Sequence, residues 1–76
     1  MITVKMFGMV AEKAGCSTLE LSFEGDTDQL EAWLHSNYPQ LKGIKYALAV
    51  NKKIIHDNTL LKYDDEIALL PPFSGG

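Results

Sequence analysis

The chain has one cysteine, Cys16, in 76 residues, so no intramolecular disulfide can form, which suits a reducing compartment. No apolar run approaches the roughly 20 residues that cross a bilayer, and Met1-Ile2-Thr3-Val4-Lys5-Met6 alternates where a signal peptide is continuously apolar. These absences point to a cytoplasmic protein with no membrane association. Repeats, low-complexity tracts and interdomain linkers are missing. His35 and His56 lack a His, Cys or paired carboxylate at ligand spacing, which argues against a metal and for two solvent-exposed histidines. Cys16 has no basic or histidine neighbour, so a partly buried, inert thiol is expected. With no glycine-rich phosphate loop, direct ATP binding is not expected. The formal net charge of -3 has the wrong sign for nucleic acid and is too small for strong steering.

What is present is a globular composition, 46% hydrophobic and 22% charged. A domain this small buries only about 60% of its unfolded surface, so packing must carry its stability. Ile2, Val4 and Met6 alternate with Thr3, Lys5 and Phe7, the pattern of a half-buried strand that Gly8 ends. Residues Val10 to Ala14 allow about one helical turn, with Gly15 as its stop. Leu19, Leu21 and Phe23 mark a second strand at hairpin distance. Asp26 or Thr27 can cap a helix whose apolar stripe is Leu30, Trp33, Leu34 and Tyr38, with Gln29, Glu31, His35 and Ser36 towards water. Tyr38-Pro39 should stop that helix. Residues Tyr46 to Val50 read as a covered strand, Asn51-Lys52-Lys53 as a turn, Ile54-Ile55 as a short strand, and Glu66 to Leu70 as a central strand apolar on both faces.

One helix cannot cover two sheet faces, so it should lie across one face of a mixed sheet of four to five strands. This is an α+β arrangement that suggests a β-grasp, although periodicity leaves other α+β topologies open. The reading divides the chain into a domain over residues 1–70 and an extended tail over residues 71–76. Pro71-Pro72 can neither prolong a strand nor enter a helix, so the chain should leave the domain extended. Six residues span at most about 20 Å. Gly75 and Gly76 would fit a narrow channel, and Phe73, beyond the diproline, suits an aromatic anchor in a partner's pocket. A frayed chain end is the plainer reading of the same residues, and a tail mobile when free and ordered when bound satisfies both.

The stretches "ITVKMFGMVAEKAG", "TLELSF", "DTDQLEAWLHSNYP", "LAVNKKII" and above all "LKYDDEIALLPPFSGG" resemble the MoaD/ThiS ubiquitin-like sulfur carriers, in particular the small subunits of molybdopterin synthase. The resemblance covers nearly the whole chain, and PP-x-x-GG after an apolar strand is its specific part. It implies a ubiquitin-like β-grasp fold. It further implies a Gly76 that a MoeB-like enzyme adenylates with ATP, that is converted to a thiocarboxylate, and that is presented to a MoaE-like large subunit for dithiolene formation. Two carriers on a large-subunit dimer are implied as well. On its own the carrier would be no catalyst and would bind no cofactor. Phe7, Ile54 and Leu70 fall where the family carries an exposed apolar docking patch beside the tail. Phe7 also has support from its parity, whereas Ile54 and Leu70 read from residues alone as core. Many relatives have Gly-Asp-Glu where this chain has Asp64-Asp65-Glu66, and some have a basic residue where it has Ala11. Three other readings remain: a ubiquitin-like protein modifier acylating lysines through Gly76, a thiamine-pathway sulfur carrier, and a β-grasp binding module with an inert tail.

Overall fold

The structure is a computed structural model that describes residues 1–71. Pro72, Phe73, Gly75 and Gly76 therefore lie outside the described residues. Strand β1 (Ile2–Met6) buries alternate residues as its pattern requires. Helix α1 (Gly8–Ala14) is longer than the single turn expected, beginning two residues earlier, at the glycine that ends the strand. Gly15 closes it at φ 83°, its N–H donating to the Ala11 carbonyl at 2.9 Å. That left-handed position is where glycine carries least strain.

Strand β2 (Thr18–Leu21) pairs antiparallel with β1, and Phe23 falls beyond its end while still packing on the core. Helix α2 (Thr27–Asn37) starts at Asp26, whose carboxylate accepts from the Gln29 N–H at 2.9 Å while the Gln29 side chain accepts from the Asp26 N–H at 3.0 Å. This reciprocal box satisfies two orphan amides of the first turn. The helix ends at Tyr38, and Pro39 opens a 3-10 turn (Pro39–Leu41). Strands β3 (Ala47–Val50) and β4 (Lys53–Ile55) form a hairpin with Asn51 and Lys52 at φ 50° and 72°, the left-handed pair that a two-residue hairpin turn demands. Strand β5 (Glu66–Leu70) completes a five-stranded sheet of order β2-β1-β5-β3-β4.

The final strand is central, parallel to β1 and antiparallel to β3, which is why both of its faces are apolar. The fold is a ubiquitin-like β-grasp. One sheet face, with Ile2, Val4, Met6, Leu48, Ile67 and Leu69, meets Leu30 and Leu34 of α2 in the core. Among the described residues no helix is long and apolar enough to cross a membrane.

The water-facing side of α2 needs a correction. Glu31 and His35 are half-buried, and both bond to Tyr46, whose hydroxyl donates to Glu31 Oε1 at 2.9 Å and lies 2.9 Å from His35 Nε2. Helical periodicity assigns faces to an isolated helix; here the segment entering β3 covers one flank and supplies a phenol to two polar side chains. Burial first, and then the Glu31 carboxylate, push that phenol well above its ordinary value. His56 is exposed, as expected, and Cys16 is half-buried just before β2 rather than within it.

Candidate functional site

The sheet face turned away from α2 has its own register. Lys5 pairs with Ala68, Ala68 with Ala49 and Ala49 with Ile54, one row crossing four strands. Two alanines at its centre leave a hollow that larger side chains would fill. Around them Phe7, Leu70 and Ile54 form an apolar rim, and Lys5, Glu66 and Lys52 a charged one. The resulting groove has a volume of about 400 Å³. Phe7 is 45% and Ile54 54% exposed, while Leu70 is half-buried.

Residue-level reasoning that placed Ile54 and Leu70 in the core is therefore corrected. Ile55, not Ile54, points to the helix side, because Ile55 pairs with the buried Leu48. Leu70 is the third outward residue of β5 after Glu66 and Ala68, since Ile67 and Leu69 are the fully buried ones.

The charged rim is organised. Lys5 Nζ lies 2.9 Å from Glu66 Oε2, and the hydrogen bond from Lys5, then its charge, hold the Glu66 carboxyl below its ordinary value, with Lys52 a smaller contributor in the same direction. Lys5, Lys52, Glu66, Ala49 and Ala68 escaped the sequence reading; strand alternation carried the signal for Lys5, Glu66, Ala68 and Ala49 on β1, β5 and β3, whereas Lys52 lies in the turn between β3 and β4.

The groove borders the place where the chain leaves the sheet. Parallel pairing puts the C-terminal ends of β1 and β5 side by side, and the Phe7 N–H donates to the Leu69 carbonyl at 3.3 Å. Pro71, half-buried, follows Leu70 at this corner. The structure thus brings together Phe7, Ile54, Leu70 and Pro71, while Pro72, Phe73, Gly75 and Gly76 are outside the described residues. Two other hollows, of about 440 Å³ and 480 Å³, lie beside Tyr46 and His56 and beside Met1 and Tyr63; the first shares Ile54 with the groove, and neither includes Phe7 or Leu70. A groove of alanines with an aromatic rim is suited to receiving another protein's side chains, not to acid-base chemistry.

The ThiS family model matches residues 4–76. The chain belongs to the ThiS family. Its sequence is 29% identical over 79 residues to the molybdopterin synthase sulfur carrier subunit of Arabidopsis thaliana, spanning 99% of this chain and 82% of that protein. Among solved structures, small archaeal modifier protein 1 of Methanosarcina acetivorans superposes with a TM-score of 0.82 at 32% identity, over 99% of this chain and 95% of the other. A chain in the complex of subunits 1 and 2 of the molybdopterin-converting factor of Helicobacter pylori superposes at 0.74 with 32% identity, over 99% and 97% of the two chains. Fold and sequence together are those of the ubiquitin-like sulfur carriers of the MoaD/ThiS type.

Proposed function

We propose that this ThiS-family chain is the sulfur carrier subunit of a molybdopterin synthase, a cytoplasmic co-substrate that becomes reactive only when its Gly76 carboxylate is activated by another protein. A MoeB-like enzyme joins that carboxylate to the α-phosphate of ATP and releases pyrophosphate. Hydrosulfide, from a sulfide-level donor with no covalent tie to the enzyme, then attacks the acyl carbon. The C–S bond forms, the C–O bond to AMP breaks, AMP leaves and the sulfur's proton goes to solvent, giving the Gly76 thiocarboxylate. The thiocarboxylate is delivered to a MoaE-like large subunit, where sulfur passes to a cyclic pterin precursor in building the dithiolene. The groove at Phe7, Ile54 and Leu70 docks the partners, with Pro71, Pro72, Phe73 and Gly75 as the arm. Support comes from one juxtaposition above all: the chain leaves the sheet at the rim of an exposed groove with a small-residue floor. The similarity to the Arabidopsis thaliana carrier points the same way.

Intact mass spectrometry after incubation with ATP, a sulfur donor and the activating enzyme should show a gain of about 16 Da. That gain must map to the C-terminal fragment, because oxidation of Met or Cys adds nearly the same mass. A chain lacking Gly75 and Gly76 should gain nothing and should not support molybdopterin formation; full activity of that deletion overturns the proposal. A protein-modifier role is favoured by the 32% identity to small archaeal modifier protein 1. It requires Gly76 in amide linkage to lysines of other proteins, which the same spectrometry on cell extracts detects.

A further inference from the structure

We infer that Lys52 is a specificity-determining residue of the groove: the segment of the large subunit seated there presents an Asp or Glu side chain to the Lys52 ammonium, beside an apolar side chain that enters the alanine hollow; this rests on the carrier reading above. Two cations and one anion stand on the charged rim. Lys5 and Glu66 satisfy each other at 2.9 Å. Lys52 is exposed and makes no ion pair among the described residues. The rim therefore holds one uncompensated positive charge on a chain whose formal net charge is -3. Ile54, two residues further on, lines the same groove, whereas Lys53 pairs with Val50, the partner of the fully buried Ile67, and so belongs to the helix face of the sheet. A lone cation beside an apolar hollow favours an occupant with a carboxylate next to its apolar side chain and opposes a basic one.

The backbone holds that cation at the groove's edge. The Asn51 N–H donates to the Glu66 carbonyl at 2.7 Å, and Asn51 Oδ1 accepts from the Glu66 N–H at 3.0 Å. The β3–β4 turn is thus fastened to the first residue of β5, the same residue whose carboxylate holds Lys5. Within this turn Lys52 has φ 72°, the second left-handed position of the hairpin loop, where glycine carries least strain. A lysine there costs the fold stability that glycine would not, and strained backbone gathers where a side chain is needed for contact.

The test is calorimetric binding of the carrier to the large subunit, with thermal unfolding of each carrier variant. In about 0.1 M salt, Lys52→Gln should weaken binding about fivefold and Lys52→Glu about thirtyfold, while Lys52→Arg stays within about twofold of wild type. In about 1 M salt, where the screening length falls to about 3 Å, the gap between wild type and Lys52→Gln should narrow to less than about twofold. Lys53→Gln removes the same charge from the other face and should bind as wild type does. Lys52→Gly should bind as weakly as Lys52→Gln yet melt about 2–4 °C higher, so misfolding cannot account for its loss. A water-soluble carbodiimide, which condenses an amine with a carboxylate into an amide and itself takes up the water, should join Lys52 to an Asp or Glu of the large subunit, found by peptide mass spectrometry. Wild-type affinity in Lys52→Gln, an equal loss in Lys53→Gln, a gap that salt does not narrow, or a Lys52 joined to no acidic residue of the large subunit overturns the role of Lys52. A wild-type carrier that does not bind the large subunit overturns the carrier reading itself, a result distinct from normal binding by Lys52→Gln.

Discussion

Asn51 Nδ2 donates to Asp65 Oδ1 at 2.9 Å, joining the β3–β4 turn to the turn that precedes β5. Both side chains are used twice: Asn51 Oδ1 accepts from the Glu66 N–H at 3.0 Å, and Asp65 Oδ2 accepts from the Lys62 N–H at 2.7 Å. Asp65 is 9% exposed, so breaking this bridge strands polar groups away from water. Asn51→Ala and Asp65→Ala should each lower unfolding free energy by about 2 kcal/mol, measured in denaturant. Because the residues share one bond, the double variant should lose less than the sum. Strict additivity would show that they act separately.

Asp64 sits at φ 67°, with its N–H donating to the Met1 carbonyl at 2.9 Å. A left-handed Asp costs about 1 kcal/mol, partly offset in glycine by greater unfolded-state entropy. Asp64→Gly should therefore gain about 0.5 kcal/mol, and Asp64→Val should lose more than that. Thermal unfolding of the three proteins checks the order.

The sheet was legible in the sequence because the Ile2–Met6 and Thr18–Leu21 segments obey period two and the doubly apolar Glu66–Leu70 segment reads as central. Asp26, one of the two caps the sequence offered, and Gly15 as stop were legible for a local reason: each meets a backbone requirement that few residue types meet. Ile54 was not. Its exposure depends on which of two adjacent isoleucines faces Leu48, and register is a property of the pairing, not of a three-residue strand. The Tyr46 bridge to Glu31 and His35 was hidden for a related reason, since it joins elements 11 and 15 residues apart.

Acid should weaken the fold through two carboxylates. The Gln29 N–H, and then Asn58, hold the Asp26 carboxyl below its ordinary 3.8, as Lys5 does for Glu66 below 4.5. In each case the unfolded chain takes up its proton first as pH falls. The contribution is therefore fully present above the ordinary value and is lost as pH drops through the folded one. Asp26→Asn keeps an acceptor for the cap but removes the charge, so its stability should fall less steeply below about pH 4. Added salt should flatten the Lys5–Glu66 part in wild type, because that pair is exposed. An unchanged acid slope in Asp26→Asn would remove the cap from this account.

The groove can be closed without touching the core. Ala68 lies on the outer face of the central strand between Lys5 and Ala49, and is only half-buried. Ala68→Leu should fill the hollow from its floor, leave thermal unfolding nearly unchanged, and weaken binding to the large subunit at least about tenfold, about 1.4 kcal/mol. Phe7→Ala removes the rim instead. Since Phe7 is already 45% exposed, its truncation should spare the fold while costing about 1–3 kcal/mol in docking, the range of an aromatic anchor. Lys42→Ala, exposed after the 3-10 turn and outside the groove, serves as control. Loss of affinity through both the floor and the rim, with the control unaffected, is what a single docking face requires. Normal affinity in Ala68→Leu would place the partner elsewhere, since a leucine there cannot share the hollow with another protein's side chain.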